Sequence, residues 1–456
     1  MKHMNKRMHL RLLAGLTLAA CCASPVPAGG KRLPDKVVAE RLAAYFEQSL
    51  RQQDKAIKEG REAFTGYRWD WPPFPADGSL KTRDTGRMSA LTWEAWREAN
   101  RRLSPADNAG LPPLGPLAES EGAAWVLPPS LEPNATMSFY WGRKDSTADT
   151  ARTALPLFLY LHGSGPRDSE WATGKRLALR FDDAPSAWFI PRIPNEGGYY
   201  RWWQLAKQYA WERMLRLALC DPQIDPNRLY VFGISEGGYG SQRLASFYAD
   251  YWAAAGPMAG GEPLRNAPPE NCANIGFSLL TGERDRGFYR NVLTLRAKEV
   301  FDSLRQAALS GGDSTLFIHR IALQKGMGHG IDYSPDTPWL KTFRRNPCPR
   351  HVVWEDFAMD GHHRRAFYNI SIEQRPAGAD GARTAYTMDI GGDTICLTVS
   401  NVAYTVVERD PTWEHRAEDD QAVQSRTRRQ DKGVPQPPVS TPGQEGSGHG
   451  QWCRAL

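Results

Sequence analysis

Arg228-Leu229-Tyr230-Val231-Phe232-Gly233-Ile234-Ser235-Glu236-Gly237-Gly238 is an apolar run that ends in Gly-x-Ser-x-Gly. An amphipathic stretch over residues 242–252 follows it. Strand, turn and helix in that order are the context in which this motif carries chemistry. The serine is held on a strained turn, with its hydroxyl exposed above the ends of a parallel sheet. Glycine is needed on both sides, because the turn brings backbone against backbone and leaves no room for a Cβ atom. The stretch therefore predicts a nucleophile at Ser235, with its partners further along the chain.

The chain has 456 residues, too many for one ordinary domain. At 41% hydrophobic and 11% aromatic it can fill a sizeable core, which excludes global disorder. A formal charge of +6, with Lys and Arg scattered among 51 acids, is no nucleic-acid footprint. Lys2, Lys6, Arg7 and Arg11 precede a short apolar run, residues 12–20, too short to span a bilayer as a helix. Residues 1–20 read as a signal peptide. Leu18-Ala19-Ala20-Cys21 looks like a bacterial lipoprotein signal, with Cys21 as the lipidated first mature residue; a cut near Ala28 is the alternative. Acyl chains on Cys21 would tether the protein to a membrane, each buried CH₂ contributing roughly 0.8 kcal/mol. The other cysteines form no CxxC and no Cys/His cluster at zinc spacing, so neither metal nor cofactor is called for. Cys220 and Cys272 each precede an expected core strand, where a bridge between them and two buried thiols are both conceivable.

Val37, Val38, Leu42, Ala43, Phe46 and Leu50 fall at helical spacing, and a short helix is expected over 92–102. Pro- and Gly-rich segments surround that second helix, and the whole of 21–135 reads as a helical and loop region. From residue 136 the pattern changes. Apolar or aromatic runs at 137–141, 155–161, 187–190, 229–232 and 277–280 suit buried strands, with helical patterns at 202–219 and 293–308 and a β-rich run at 314–323. Strands alternating with helices predict an α/β fold, a mostly parallel sheet covered on both faces, over 136–346. Over 347–409, Tyr368, Ile370 and Ile372, then Tyr386, Met388 and Ile390, alternate with polar residues. This predicts a small antiparallel β-module. Residues 410–456, rich in Gln, Pro, Gly, Ser and charge, are expected to be disordered.

A serine nucleophile needs a base, an orienting acid and donors for an oxyanion, in the chain order Ser, acid, His. Of ten histidines, His329 sits in Gly326-Met327-Gly328-His329-Gly330, a glycine-lined loop directly after a strand. His319 lies within the preceding strand, while His351, His362 and His363 belong to the β-module, the last two as an exposed turn pair. The strand at 277–280 runs into Thr281-Gly282-Glu283-Arg284-Asp285, which offers two acids; Asp285 is preferred for lying deeper in the loop, with Glu283 as the alternative. His162-Gly163-Ser164-Gly165-Pro166 closes the strand at 155–161 and can expose the backbone N–H of Ser164; the N–H of Glu236 would be the second oxyanion donor. His162 is expected to orient that turn.

Together the runs Leu157 to Gly165 and Ile224 to Gly240 resemble the α/β-hydrolase superfamily. More closely, they resemble secreted bacterial esterases of the poly(3-hydroxybutyrate) depolymerase and feruloyl esterase type, and hydrolases often described as predicted peptidases. The segment Ala253-Ala254-Ala255-Gly256-Pro257-Met258-Ala259-Gly260-Gly261 is also similar to theirs. The resemblance covers residues 155–333 and implies Ser235, Asp285 and His329 as a triad. Glu236 departs from the usual Met or small residue of the elbow and places a carboxylate beside the nucleophile.

The aromatic stretch 188–203, with Arg192, Tyr200, Arg201 and Trp202, is expected to line the substrate cleft, joined by Tyr289, Arg290 and Tyr333. An equal alternative is that Trp202 and its neighbours form the inner face of a helix. The expected reaction is hydrolysis of a carboxylic ester, on a small molecule or a decorated polysaccharide. A serine peptidase related to prolyl-oligopeptidase-like enzymes is the runner-up, although the segment ahead of residue 136 is too short for a β-propeller. A binding lipoprotein on a hydrolase scaffold is the third reading.

Overall fold

The computed structural model describes residues 33–66, 82–103, 110–145, 154–372, 375, 383–392, 394–406, 424–429 and 450–455. The expected signal segment and Cys21 lie outside them. Three helices come first: α1 (Asp35–Glu59), α2 (Arg61–Gly66) and α3 (Thr85–Arg102). Val38, Leu42, Phe46 and Leu50 recur every fourth residue and so share one buried face of α1. That face packs on Met88, Ala95 and Ala99 of α3, which is why α3 begins about two turns before the expected residue 92.

Eight strands build the main sheet: β1 (Ala123–Val126), β2 (Thr136–Lys144), β3 (Leu155–Leu161), β4 (Ser186–Pro191), β5 (Ile224–Ile234), β6 (Ala254–Met258), β7 (Gly276–Gly282) and β8 (His319–Gln324). Their order is β1-β2-β4-β3-β5-β6-β7-β8. Strand β2 pairs antiparallel with β1 and β4, and every other pairing is parallel. Buried parallel strands need apolar side chains on both faces, and the two central strands supply them alternately. Leu157, Leu159, Leu161, Leu229 and Val231 join one core cluster, while Phe158, Tyr160, Tyr230 and Phe232 join the other. The remaining helices are α4 (Arg167–Arg180), α5 (Leu205–Cys220), α6 (Glu236–Phe247), α7 (Arg290–Ser310) and α8 (Asp336–Leu340). Residues of α5, α6 and α7 complete the first cluster, and residues of α4 and α8 the second.

Helix α6, strand β6 and helix α4 also differ from the sequence reading. Helix α6 starts at Glu236 and not near 242, because Gly237, Gly238 and Gly240 hide its apolar period; these glycines lie against neighbouring backbone or Trp202. Strand β6 is Ala-Ala-Gly-Pro-Met and carries no β-branched signal; Gly256 must be small because Asp336 packs against it. Helix α4 buries only Gly174 and Ala178, too little for a periodic pattern.

The second sheet contains β9 (His351–Asp356), β12 (Arg383–Gly391) and β13 (Thr394–Val406), with a two-stranded turn of β10 (Ala366–Phe367) and β11 (Ile370–Ser371) between. Strands β14 (Gln424–Arg429) and β15 (Gly450–Ala455) both pair with β13. Within residues 410–456, expected to be disordered, the described residues are those of these two strands. The edge of β13 presents unpaired N–H and C=O groups, which an extended polar segment satisfies whatever its composition. Val352, Trp354, Tyr368, Tyr386 and Met388 share a core with the main sheet, and Asn271 exchanges two hydrogen bonds with the Glu355 backbone, at 3.1 and 2.6 Å. His362, expected to be exposed, stacks on Phe64 at 4.9 Å and takes Gln208 as partner at 2.9 Å. Cys220 and Cys272 are both free, so no bridge joins them, and Cys396 is disulfide-bonded.

Candidate active site

The end of β5 turns into α6 through Ser235, whose φ of 59° and ψ of −115° are left-handed and strained. A Cβ on Gly233 would run into the carbonyls of Gly237 and Leu161, and one on Gly237 into the Leu161 carbonyl. The turn is therefore closed by backbone-to-backbone contact, and only Gly-x-Ser-x-Gly allows it. A sheet of this strand order, with a single antiparallel strand at β2 and this elbow after β5, decides the architecture. This is the α/β-hydrolase fold.

The chain matches no known family model and no curated protein sequence. Its fold is similar to that of a thermostable esterase, at 19% identity and a TM-score of 0.32 over 50% of this chain and 60% of that one. It is similar to a putative dipeptidyl aminopeptidase IV from Bacteroides ovatus, at 10% identity and a TM-score of 0.32 over 49% of this chain and 34% of that one. A ferulic acid esterase matches at 13% identity and a TM-score of 0.36, over 51% of this chain and 99% of that one. The chain spans less than two thirds of the first two proteins. At TM-scores this low the likenesses carry no weight for the site, which stands on its own geometry.

Ser235, His329 and Asp285 come together at the C-terminal ends of β5, β7 and β8. Nε2 of His329 lies 3.0 Å from Ser235 Oγ, and Nδ1 lies 2.7 Å from Asp285 Oδ2. An ionised carboxylate only accepts, so Nδ1 carries the hydrogen and Nε2 is left to accept from the serine hydroxyl. The imidazole is 46% exposed, open to a substrate, while Asp285 is 3% exposed. Burial pushes the Asp285 carboxyl up, but the hydrogen bond from His329 and the charge of Arg290 outweigh it, and the net shift is downward. Of the two acids the sequence left open, Asp285 reaches the imidazole; Glu283 instead accepts the Gly326 N–H at 2.7 Å and braces the loop that carries His329.

The turn after β3 lies beside Ser235: a Cβ on Gly163 would stand 3.5 Å from Ser235 Cβ. Ser164 is exposed there, and Glu236 opens α6, where the first N–H groups have no acceptor within the helix. Both backbone N–H groups can meet an oxyanion. His162 is fully buried; its Nε2 accepts the Ile193 N–H at 3.1 Å, so Nδ1 donates to the Gly163 carbonyl at 2.8 Å. Burial pushes the His162 imidazole down to about 4, so it holds the turn as a neutral group.

Four of the side chains expected to line the cleft do other work. Trp202 is fully buried, donating to the His162 carbonyl at 3.0 Å, and Tyr200 donates to the Gly163 and Gly165 carbonyls at 2.6 and 3.0 Å. Both brace the turn of Ser164. Arg192 pairs with Asp168 at 2.5 Å and lies over Trp171, and Tyr289 is buried at the start of α7. Their aromatic and cationic character is spent on packing that sequence spacing does not distinguish from a pocket. Arg201 remains at the site, half exposed, 3.6 Å from Glu236 Oε2. Tyr333 is half-buried within the electrostatic reach of Asp285 and Glu170. Burial pushes the Glu236 carboxyl up to about 7 against the opposing charge of Arg201. Phe288, three residues after Asp285, and Met327, two before His329, are 52% and 38% exposed, apolar surface that the sequence reading missed. Exposed apolar residues in glycine-rich loops were the available signal. Among the described residues no cluster of three or more His, Cys, Asp or Glu could hold a metal ion, and no helix is long and apolar enough to cross a membrane.

Proposed function

We propose that the protein is a serine hydrolase that cleaves carboxylic esters through an acyl-enzyme. One observation carries this: a single imidazole bridges Ser235 Oγ and Asp285 Oδ2 at hydrogen-bond distance on both sides. His329 takes the hydroxyl proton as Ser235 Oγ attacks the acyl carbon, and Asp285 stabilises the imidazolium that forms. The N–H groups of Ser164 and Glu236 receive the oxyanion. Collapse passes the proton from Nε2 to the departing alcohol, and a water activated by the same nitrogen then releases the acid. The exposed Phe288 and Met327 in the loops of the acid and the base suit an acyl chain, and the Arg201–Glu236 pair beside Ser235 offers polar groups to an alcohol such as a sugar.

A fluorophosphonate probe followed by peptide mapping tests the nucleophile without knowledge of the substrate. Ser235 is the expected labelled residue, and Ser235→Ala is expected to lose labelling and to lower kcat by about 10⁴ to 10⁶. Labelling elsewhere, or none, would overturn the reading. A panel of p-nitrophenyl acyl esters against peptidyl anilides separates esterase from peptidase. Export to the cell envelope, with lipid on Cys21, belongs to the same proposal. The basic N-terminus ahead of Leu18-Ala19-Ala20-Cys21 supports it, as does a bonded Cys396, since disulfides persist in oxidising compartments.

A further inference from the structure

The acid beside His329 is gripped from behind. Asp285 Oδ1 accepts from Arg290 Nη1 at 3.0 Å, while Oδ2 faces His329 at 2.7 Å. The Arg290 and Asp285 side chains are 11% and 3% exposed, so little water competes for either. Arg290 is the first residue of α7, which fixes where its side chain departs. Its guanidinium lies over the rings of Phe288, at 5.1 Å, and of Tyr239 on α6, at 5.7 Å. A Cβ on Gly287 would stand 2.9 Å from Nη1, so the loop is glycine where the guanidinium passes. Arg290 thus touches the acid's loop, its own helix and the helix that begins at the nucleophile.

We propose that Arg290 is a positioning residue that locks the Asp285 carboxylate toward His329 and sets the proton affinity of the imidazole through it. The proposal rests on the Ser235–His329–Asp285 reading above. A carboxylate with one partner can turn about its last bond and tilt the imidazole off the serine; a second, opposed hydrogen bond removes that freedom. The guanidinium also brings a positive charge to the pair. Its positive charge also offsets part of the field that Asp285 exerts on His329, and losing it makes the imidazolium easier to form. Other ionisable groups near the pair are Tyr239, Tyr333, Glu283 and Glu236. Burial pushes both tyrosines up, away from neutrality, and Glu283 is engaged by Gly326. Glu236 is the neighbour that titrates near neutrality, so each profile is repeated in a Glu236→Gln background.

The test compares full-length wild type, Arg290→Met and Arg290→Lys, using kcat/KM on p-nitrophenyl acetate from pH 5 to 9. The low-field proton resonance of His329 Nδ1–H is followed alongside as a readout that needs no turnover. Arg290→Met is expected to lose about tenfold or more in kcat with KM little changed, and its acid limb to move up by about half to one pH unit. Arg290→Lys keeps the charge and is expected to keep the wild-type acid limb while recovering part of the rate. An Arg290→Met protein with an unmoved acid limb overturns the proposal, because loosened packing alone slows turnover without moving it. Should Arg290→Met not fold, a shifted acid limb or resonance in Arg290→Lys overturns it equally. Fluorophosphonate labelling of wild-type Ser235, run in parallel, separates the two claims. No labelling sinks the hydrolase reading, whereas labelling with an unmoved acid limb sinks only the role of Arg290.

Discussion

Two carboxylates within three residues of chain, Glu283 and Asp285, are chemically near-equal in sequence and unequal in place. Asp285 meets the imidazole and Glu283 meets a backbone N–H. Asp285→Asn is therefore expected to cut kcat by about 10⁴, since an amide stabilises the wrong tautomer, while Glu283→Gln is expected to cost less than about tenfold. Steady-state kinetics on one ester decides between them, and equal losses would mean that the acid's identity is misplaced. Glu236 carries a different prediction. Its folded-state value, about 7, lies above the ordinary 4.5, so the folded protein holds this proton more tightly than the unfolded chain does. The stability that goes with protonation is complete below about pH 4.5 and is lost as pH rises through about 7. Relative to Glu236→Gln, wild type should lose on the order of 3 kcal/mol across that window. Melting curves of both proteins at pH 5 and pH 8 check this; a difference that ignores pH would show an ordinary carboxyl.

At the scale of elements, the elbow concentrates the demands on β5 and α6. The Ser235 backbone is strained by about 1–3 kcal/mol, held there because Gly233 and Gly237 let three backbone segments touch. Gly237→Ala would press a Cβ on the Leu161 carbonyl, which is strand backbone and has nowhere to go. A loss above about 2 kcal/mol in denaturant unfolding is expected, with activity falling alongside. Unchanged stability would mean that the elbow has slack. The glycines that make the elbow also hid α6 from pattern reading, because a helix face packed on backbone carries no apolar side chains. The same applies to β6, whose Gly256 must stay small beneath Asp336. Longer runs with side chains on both faces, such as β3 and β5, were legible at once.

For the molecule as a whole, the second sheet is joined to the main sheet and not hung from it. Arg364 donates to both carboxylate oxygens of Asp250, at 2.9 Å to Oδ2, and lies over Tyr248 and Tyr251; the pair is 11% and 9% exposed. Arg364→Met would leave Asp250 buried without its counter-charge and is expected to cost about 3–5 kcal/mol. Because one apolar cluster spans both sheets, wild type is expected to unfold in a single urea transition with the variant's midpoint lowered. Two transitions would make the second sheet an independent unit. What the sequence determined alone was local: the apolar runs that become β3, β5 and β7, the glycines that force the elbow, and the loops that bear Asp285 and His329. Strand period and close backbone approach act over a few residues, so they leave a mark in the chain. Only the tertiary structure decided which acid meets the imidazole, that Tyr200 and Trp202 brace a turn while Arg201 stays at the cleft, and that Arg290 stands behind the acid. Each of those depends on which groups from distant segments share a buried space, and burial is a property of the fold, not of any stretch of residues.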